Sequence, residues 1–484
     1  MRNLTFFTLA FFCFSSCKTL PPTPYGVLPT ERQLGWHETE LYGLIHFTPT
    51  TFENKEWGYG DADPVIFNPK NFDASQIVSA AKAGGLKGLI FVAKHHDGFA
   101  LWPTKTTDYN ISKSLWRDGK GDMVKEMEEA CRAAGLKFGV YCSPWDRNNK
   151  DYGKPAYLET YRAQLRELYT NYGELFMSWH DGANGGDGYY GGANETRKID
   201  NTTYYDWTNT WEDITRKLQP SANIFSDIGL DVRWVGGEHG YAAETHWATF
   251  SPEPNTGNIA VPGNVNTAVS STGTRGGDFW IPAECDVPLR PGWFYHSEQD
   301  GKEKDAEDLF DLYLKSVGRG ASLDLGLAPT TAGLLHDNDV AILKNFGKKL
   351  EITFGQNLIK NAELKASNVR GKNYSEALLM DNDRYSYWAT DDGVHEAFIE
   401  IEFSESTSFD MIQIRENIKL GQRIENASVE IYKNDKWTEV ASVKSIGANR
   451  LIVLEQPGEA TKIRINFKAP VPLCVSDVGI FKTP

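Results

Sequence analysis

Two hydrophobic rhythms share this chain. Between about residue 40 and residue 350, short continuous apolar runs alternate with segments whose apolar residues recur at helical spacing. Short apolar runs bounded by turn residues read as strands buried on both faces, and the 3.6-residue pattern reads as helices covering them. The runs fall at residues 43–47, 88–97, 136–142, 174–181 and 222–227. Between them, Ile77, Val78 and Ala81 share a helix face that stops at Gly84-Gly85. Met123, Val124, Met127, Cys131 and Ala134 share another, opened by Asp122 and closed by Gly135. Tyr157, Leu158, Tyr161, Leu165 and Leu168 mark a third, and residues 211–218 a fourth. Fainter strands are expected at 243–247, 280–287 and 322–327, with a last helix over 337–350.

Alternating strands and helices of this size imply βαβ units and a parallel sheet. Each run ends in polar or aromatic residues: His46, His95 and His96, Ser143 and Trp145, Asp181, Asp227. A doubly wound sheet gathers its site at one crevice, whereas a closed barrel draws on every strand end. The expectation is therefore a (β/α)8-like (TIM-type) barrel over residues 30–352. Beyond Phe354 the rhythm changes to period two, at 398–403, 411–414, 428–432 and 462–467. Short alternating strands separated by turns predict an antiparallel β-sandwich over 353–484.

The N-terminus changes the picture of where the protein works. Arg2 precedes an apolar run from Leu4 to Phe14, too short to span a bilayer, which enters Ser15-Ser16-Cys17. This resembles a bacterial lipoprotein leader over 1–17, with Cys17 as the lipid-bearing residue and 18–29 as a tether. An exported, periplasmic or outer-membrane-anchored protein is expected, touching membrane only through that anchor. Cys131, Cys142, Cys285 and Cys474 show no CxxC spacing and sit in apolar settings, so buried free thiols are expected. The formal charge of −15 argues against nucleic acid as a partner. Aromatic residues make up 12% of the chain, with 14 Trp, and flat rings suit sugar faces.

Four clusters would meet at a barrel mouth: His46 with Glu56-Trp57; His95-His96-Asp97; Trp179 with Asp181; and Trp234 to Gly240 with Glu244 to Trp247. A metal site would need several of these side chains on one ion. Neighbouring residues of a strand face opposite ways, so His95 and His96 are expected on different sides, and no HExxH spacing occurs. A serine nucleophile would need a G-x-S-x-G elbow, which is missing from the sequence. A carboxylate pair of the glycosidase type remains, with one nucleophile and one proton donor. Asp181 ends an apolar run and opens a glycine-rich loop, the position where such a barrel places catalytic groups. For its partner, Glu238, Glu244, Asp227, Glu284 and Asp286 all stay open, and the glycines around Glu238 favour it by allowing a loop to fold over substrate.

The chain resembles the α-L-fucosidases of glycoside hydrolase family 29. The matching stretches are His46-Phe47 with Glu56-Trp57-Gly58, Ala93 to Phe99, Phe138 to Tyr141 with Ser143-Pro144-Trp145, Trp179 to Gly186, Trp234 to Glu238 and Arg290 to His296. The resemblance implies a retaining mechanism without cofactor or catalytic metal, acting on fucosylated oligosaccharides or glycoconjugates. It assigns Asp181 as nucleophile and Glu238 as acid/base, the latter by likeness to the subgroup that cleaves α-1,3 and α-1,4 linkages. It places His46, Glu56, Trp57, His95, His96, Tyr141, Trp179 and Trp293 in the fucose pocket. The family commonly has Phe before the nucleophile; His180 stands here and, as strand neighbour of Asp181, is expected to face away. Tyr189, Tyr190 and Trp247 are candidate contacts for a neighbouring galactose. The tail resembles a discoidin-like (coagulation-factor type C) module, in which an exposed Trp388 would bind sugar and a buried one would not. The competing readings are a glycosidase or transfucosidase of other specificity and a non-catalytic glycan-binding lipoprotein.

Overall fold

Side chains that alternate in and out along eight short strands build the larger part of the molecule. The computed structural model describes residues 19–183, 185–199 and 207–484. The expected leader, Cys17 and Asn184 lie outside the described residues. The strands are β1 (Leu41–Ile45), β2 (Gly88–Lys94), β3 (Lys137–Cys142), β4 (Met177–Trp179), β5 (Asn223–Ser226), β6 (Val232–Trp234), β7 (Ala283–Pro288) and β8 (Ser322–Leu327). They run parallel, pair in chain order, and close where β8 meets β1. This is the expected barrel. Tyr42, Leu44, Ile90, Val92, Tyr141, Met177, Trp179, Phe225 and Val232 fill its interior. Leu89, Phe91, Val140, Leu323 and Leu325 point outward into the layer of helices.

The helices begin and end where capping chemistry dictates. The side chain of Asp73 caps α2 (Ala74–Ala83), and that of Asp122 caps α3 (Met123–Ala134), which closes on Gly135 in the left-handed conformation. Below the strands lies α1 (Glu31–Thr39), whose Trp36 Nε1 donates to Tyr42 Oη at 3.0 Å. The outer layer is completed by α4 (Pro155–Asn171), α5 (Ala306–Lys315) and α6 (Asp337–Phe354).

The sixth strand departs from expectation. It is Val232–Trp234, joined to β5 by a turn with no helix between, and residues 243–247 form no strand. That segment belongs to a long connection running down the barrel's side, where Ala248 N donates to Gln422 Oε1 at 2.8 Å. Three inward-stepping residues are too short a run to stand out in a sequence.

The C-terminal domain is an antiparallel sheet whose two long strands, Glu396–Glu416 and Arg450–Lys468, pair through two register shifts. Such shifts bend strands, and the bent sheet encloses Ile399, Ile401, Ile412, Ile463 and Ile465. Trp388 is fully buried, with Nε1 donating to Asn368 O at 2.9 Å, so it offers no sugar platform. The four cysteines past the leader are buried and free, as expected.

Residues 19–29, read as a tether, lie along the C-terminal domain. Arg370 Nε donates to Leu20 O at 2.7 Å, Tyr25 N to Leu420 O at 2.9 Å, and Arg423 Nη2 to Thr23 O at 3.4 Å. Beside this strap the domain grips the barrel floor. Glu40, just before β1, accepts from Lys87 at 3.1 Å, Arg384 at 3.0 Å and Arg415 at 3.3 Å. Burial alone would raise its pKa, but Arg415, Arg384 and Lys87 outweigh it and pull the carboxyl down from 4.5 to about 2. A depressed carboxylate pKa contributes stability above about 4.5 that is lost as pH falls toward about 2. Glu40→Gln should therefore lower stability by about 2–3 kcal/mol at neutral pH, since it strands two partly buried guanidinium groups. Thermal unfolding across a pH series checks this: the gap between the two proteins should narrow steadily below pH 4.5.

Candidate active site

The two-residue step of the strands continues past their C-terminal ends and aims the first loop residues inward. Tyr42 and Leu44 are followed by His46, Met177 and Trp179 by Asp181, and Phe225 by Asp227. They converge on a cavity of about 360 Å³ at the barrel mouth. Of the expected site residues, His46, Trp57, His95, His96, Tyr141, Trp179, Asp181, Glu238 and Trp293 all line it.

Asp181 is the best-held carboxylate. Tyr141 Oη donates to its Oδ2 at 2.8 Å and Ala183 N to its Oδ1 at 2.7 Å, while His96 Nε2 stands 3.5 Å from Oδ2. Burial, reinforced by the charge of Glu238, raises its pKa from 3.8 to about 6. The residue after it must be Gly, because a Cβ on Gly182 would stand 2.6 Å from Asp227 Cγ. Asp227 itself accepts from Gly263 N at 2.8 Å, and burial together with the Asp181 charge lifts it to about 7. Glu238 lies on the turn after β6, between Gly236 at φ +97° and Gly240 at φ +74°, conformations that favour glycine. Trp293 Nε1 donates to its Oε2 at 3.1 Å.

His95 and His96 do not face opposite ways. Their rings lie 4.1 Å apart and both line the cavity. Both lie beyond the end of β2, where strand alternation no longer applies, and a register shift between Val92 and Lys94 disturbs the ladder just before them. The shift turns Lys94 outward, to Asp146 at 3.2 Å and Gln164 at 2.9 Å. Burial holds the imidazoles neutral, taking His46 down to about 3 and His95 and His96 well below their usual value. Nδ1 of His46 and Nδ1 of His95 have no hydrogen-bond partner among the described residues.

Among the remaining candidates Asp286, like Asp227, lines the cavity, and the others fall elsewhere. Glu56 does not line the cavity; it accepts from Trp293 N at 2.9 Å and meets His296 Nε2 at 2.6 Å, fixing the loop that carries Trp293. Glu244 lies away from the mouth, paired with Arg319 at 2.7 Å and with Arg450, which removes it as a partner for Asp181. Glu284 and Asp286 lie on β7, where they accept from Trp179 Nε1 and Trp234 Nε1, both at 2.7 Å. Burial drives Glu284, Asp286 and the neighbouring Asp324 toward their protonated forms. His180 faces the helices as expected, bonding Tyr161 Oη and Ser178 Oγ at 2.7 Å each. Tyr190 and Trp247 are buried, whereas Tyr189 is partly exposed near the mouth. Val265 and Thr267 line the cavity from the long connection after β6, which carries neither periodicity nor a motif.

Known proteins share this arrangement. The family profile described as Alpha-L-fucosidase matches residues 24–354, and that described as F5/8 type C domain matches 363–475. Alpha-L-fucosidase 1 of Arabidopsis thaliana is 38% identical, over 98% of this chain and 93% of its own length. A glycoside hydrolase 29 family member from an unknown rumen bacterium superposes with a TM-score of 0.82 at 39% identity, covering 95% of this chain and 78% of that one. A Ruminococcus gnavus GH29 fucosidase in complex with fucose gives 0.84 at 30% identity, covering 97% of each.

The desolvation of Asp181 has a measurable cost. A carboxyl whose pKa is raised by folding destabilises the protein once ionised, so the cost appears above pH 3.8 and is complete above about 6. Asp181→Asn should stabilise the protein by about 1–3 kcal/mol at pH 8 and by little at pH 4. Calorimetric unfolding of both proteins at the two pH values checks it.

Proposed function

The chain belongs to the alpha-L-fucosidase family, glycoside hydrolase family 29, and from that premise we propose that it is a retaining exo-α-L-fucosidase acting on α-1,3- and α-1,4-linked fucose. One observation carries the mechanism: Asp181 and Glu238 line one cavity, close enough for the charge of one to lift the pKa of the other. Asp181 attacks the anomeric carbon and forms a fucosyl ester, while Glu238 protonates the departing glycosidic oxygen. Glu238 then takes a proton from water, which attacks the same carbon and frees both fucose and Asp181 with the configuration retained. The neutral histidines and their unpartnered Nδ1 atoms supply hydrogen bonds for sugar hydroxyls, and Trp293 offers its ring to the sugar's apolar face while its Nε1–H orients Glu238.

Asp181→Ala should lose about 10³-fold or more in kcat on an aryl fucoside. Azide should restore turnover in that variant as β-fucosyl azide, and in Glu238→Ala as the α-anomer. In the parent enzyme kcat/KM should fall as pH drops through about 6, because attack requires ionised Asp181. Chromatographic analysis of the azide products decides the roles; an α-product from Asp181→Ala would reverse them.

The linkage assignment rests on the stretches at 183–186 and 234–240, which resemble the linkage-restricted subgroup. Binding energy from a sugar next to N-acetylglucosamine would order the turn bearing Glu238, so substrates lacking that sugar should lose kcat as well as affinity. A branched Lewis-type trisaccharide should turn over with kcat/KM at least about tenfold above the disaccharide without galactose. Equal values, or faster release from an α-1,2 linkage, would overturn the assignment.

A further inference from the structure

Beyond Trp57 the cavity wall continues as a shelf of rings. Trp57 meets Trp145 at 5.7 Å between centroids, and Trp145 lies 4.7 Å from the His96 ring. Tyr59, exposed beside them, meets Tyr189 at 6.0 Å. Between Trp145 and Tyr59 stands Arg147, its guanidinium carbon 4.5 Å from one centroid and 5.0 Å from the other.

This guanidinium is unusually placed. Arg147 is 8% exposed, its Nε is buried without a hydrogen-bond partner, and no carboxylate among the described residues pairs with it. Asp146, next to it in the chain, holds Lys94 at 3.2 Å, Asp187 faces Lys198 at 3.9 Å, and Glu195 holds Arg197. Burial lowers the pKa of Arg147, with only the hydroxyls of Tyr190 and Tyr59 acting against it. Rings can satisfy the faces of a guanidinium through cation–π contact, but its five N–H donors lie in its plane and need acceptors. A Cβ built on Gly188 would stand 3.9 Å from Nη2, so the glycine leaves room beside that donor.

Unpaired among the described residues and largely desolvated, this cation stands behind the ring that lines the sugar pocket and is suited to an anion. The whole chain, at −15, repels anions, so such recognition has to be local. We propose that Arg147 is a specificity-determining residue that binds an anionic group, a sulfate ester or a sialyl carboxylate, on the part of the glycan that leaves when fucose is released. Its planar donors match either oxyanion bidentately, while Tyr59, Tyr189 and Trp57 stack the rings of the sugars that carry it. The inference rests on the proposed glycan substrate.

The test compares, within each enzyme preparation, kcat/KM for a neutral branched fucosylated oligosaccharide with its sulfated and its sialylated counterparts. The parent enzyme should favour at least one anionic form by about tenfold at low ionic strength, an advantage that shrinks with added salt. Arg147→Met should erase that ratio and Arg147→Lys should keep part of it. Because each ratio is internal, a reduced fraction of folded enzyme does not alter it. A preference for the sulfated substrate alone identifies the sulfate ester, and for the sialylated alone the carboxylate. Equal ratios in parent and Arg147→Met, or slower turnover of both anionic forms by the parent, would overturn the proposal. If no branched substrate is cleaved, the linkage reading fails separately, and the same ratio is read from inhibition of aryl-fucoside hydrolysis by defucosylated anionic and neutral glycans. Equal inhibition constants there would also overturn it.

Discussion

A barrel interior too dry to hold charge sets the terms for the whole structure. His46, His95 and His96 at the mouth are held neutral by burial, and Asp286 on the cavity wall, with Glu284 and Asp324 beside it on the barrel strands, is driven toward the protonated state. Those buried carboxyls fasten the indole N–H groups of Trp179 and Trp234, so the aromatic walls of the cavity depend on acids that carry little charge. Asp181 and Glu238 stand where the strands give out and solvent begins. A carboxylate placed two residues lower on its strand would share the fate of Glu284. The location of the reacting groups at strand ends is thus an electrostatic necessity as much as a topological one.

The same division decides what the sequence could disclose. Seven barrel strands and the capped helices announce themselves because apolar periodicity is a direct record of which face is covered, and the inward step from Trp179 to Asp181 follows from counting by two. What escaped depends on departures from that count. The strand ends at Lys94 after a register shift, so His95 and His96 escape its alternation, and nothing in Val92-Ala93-Lys94 signals it. The sixth strand is three residues long, and its successor connection has no period at all, so 243–247 was read as a strand that does not exist. Glu244 stays open beside the favoured Glu238 because both follow Trp234 closely; only the path of the chain sends one to the cavity and the other to Arg319 and Arg450. Arg147 stands two residues beyond a matched stretch, and a cation unpaired among the described residues cannot be recognised until its neighbours are placed in space.

The barrel and the C-terminal domain meet through charge as well as through a shared apolar seam, in which Met411, Leu451 and Phe481 join the barrel's core. Glu40 draws together one lysine of the barrel and two arginines of the neighbouring domain, and Arg450 reaches back to Glu244. The domain buries Trp388 and offers its arginines to the barrel, at the end remote from the cavity.

The strap of residues 19–29 gives that support a direction. The chain enters the fold beside the C-terminal domain, which abuts the barrel where the strands start, while the cavity opens where they finish. Anything fastened ahead of Thr19 is delivered to the rear of the molecule, leaving the opening to face outward. A long or branched glycan would then approach end-on, and the reach of an enzyme fastened in this way would be set by the height of the two stacked domains.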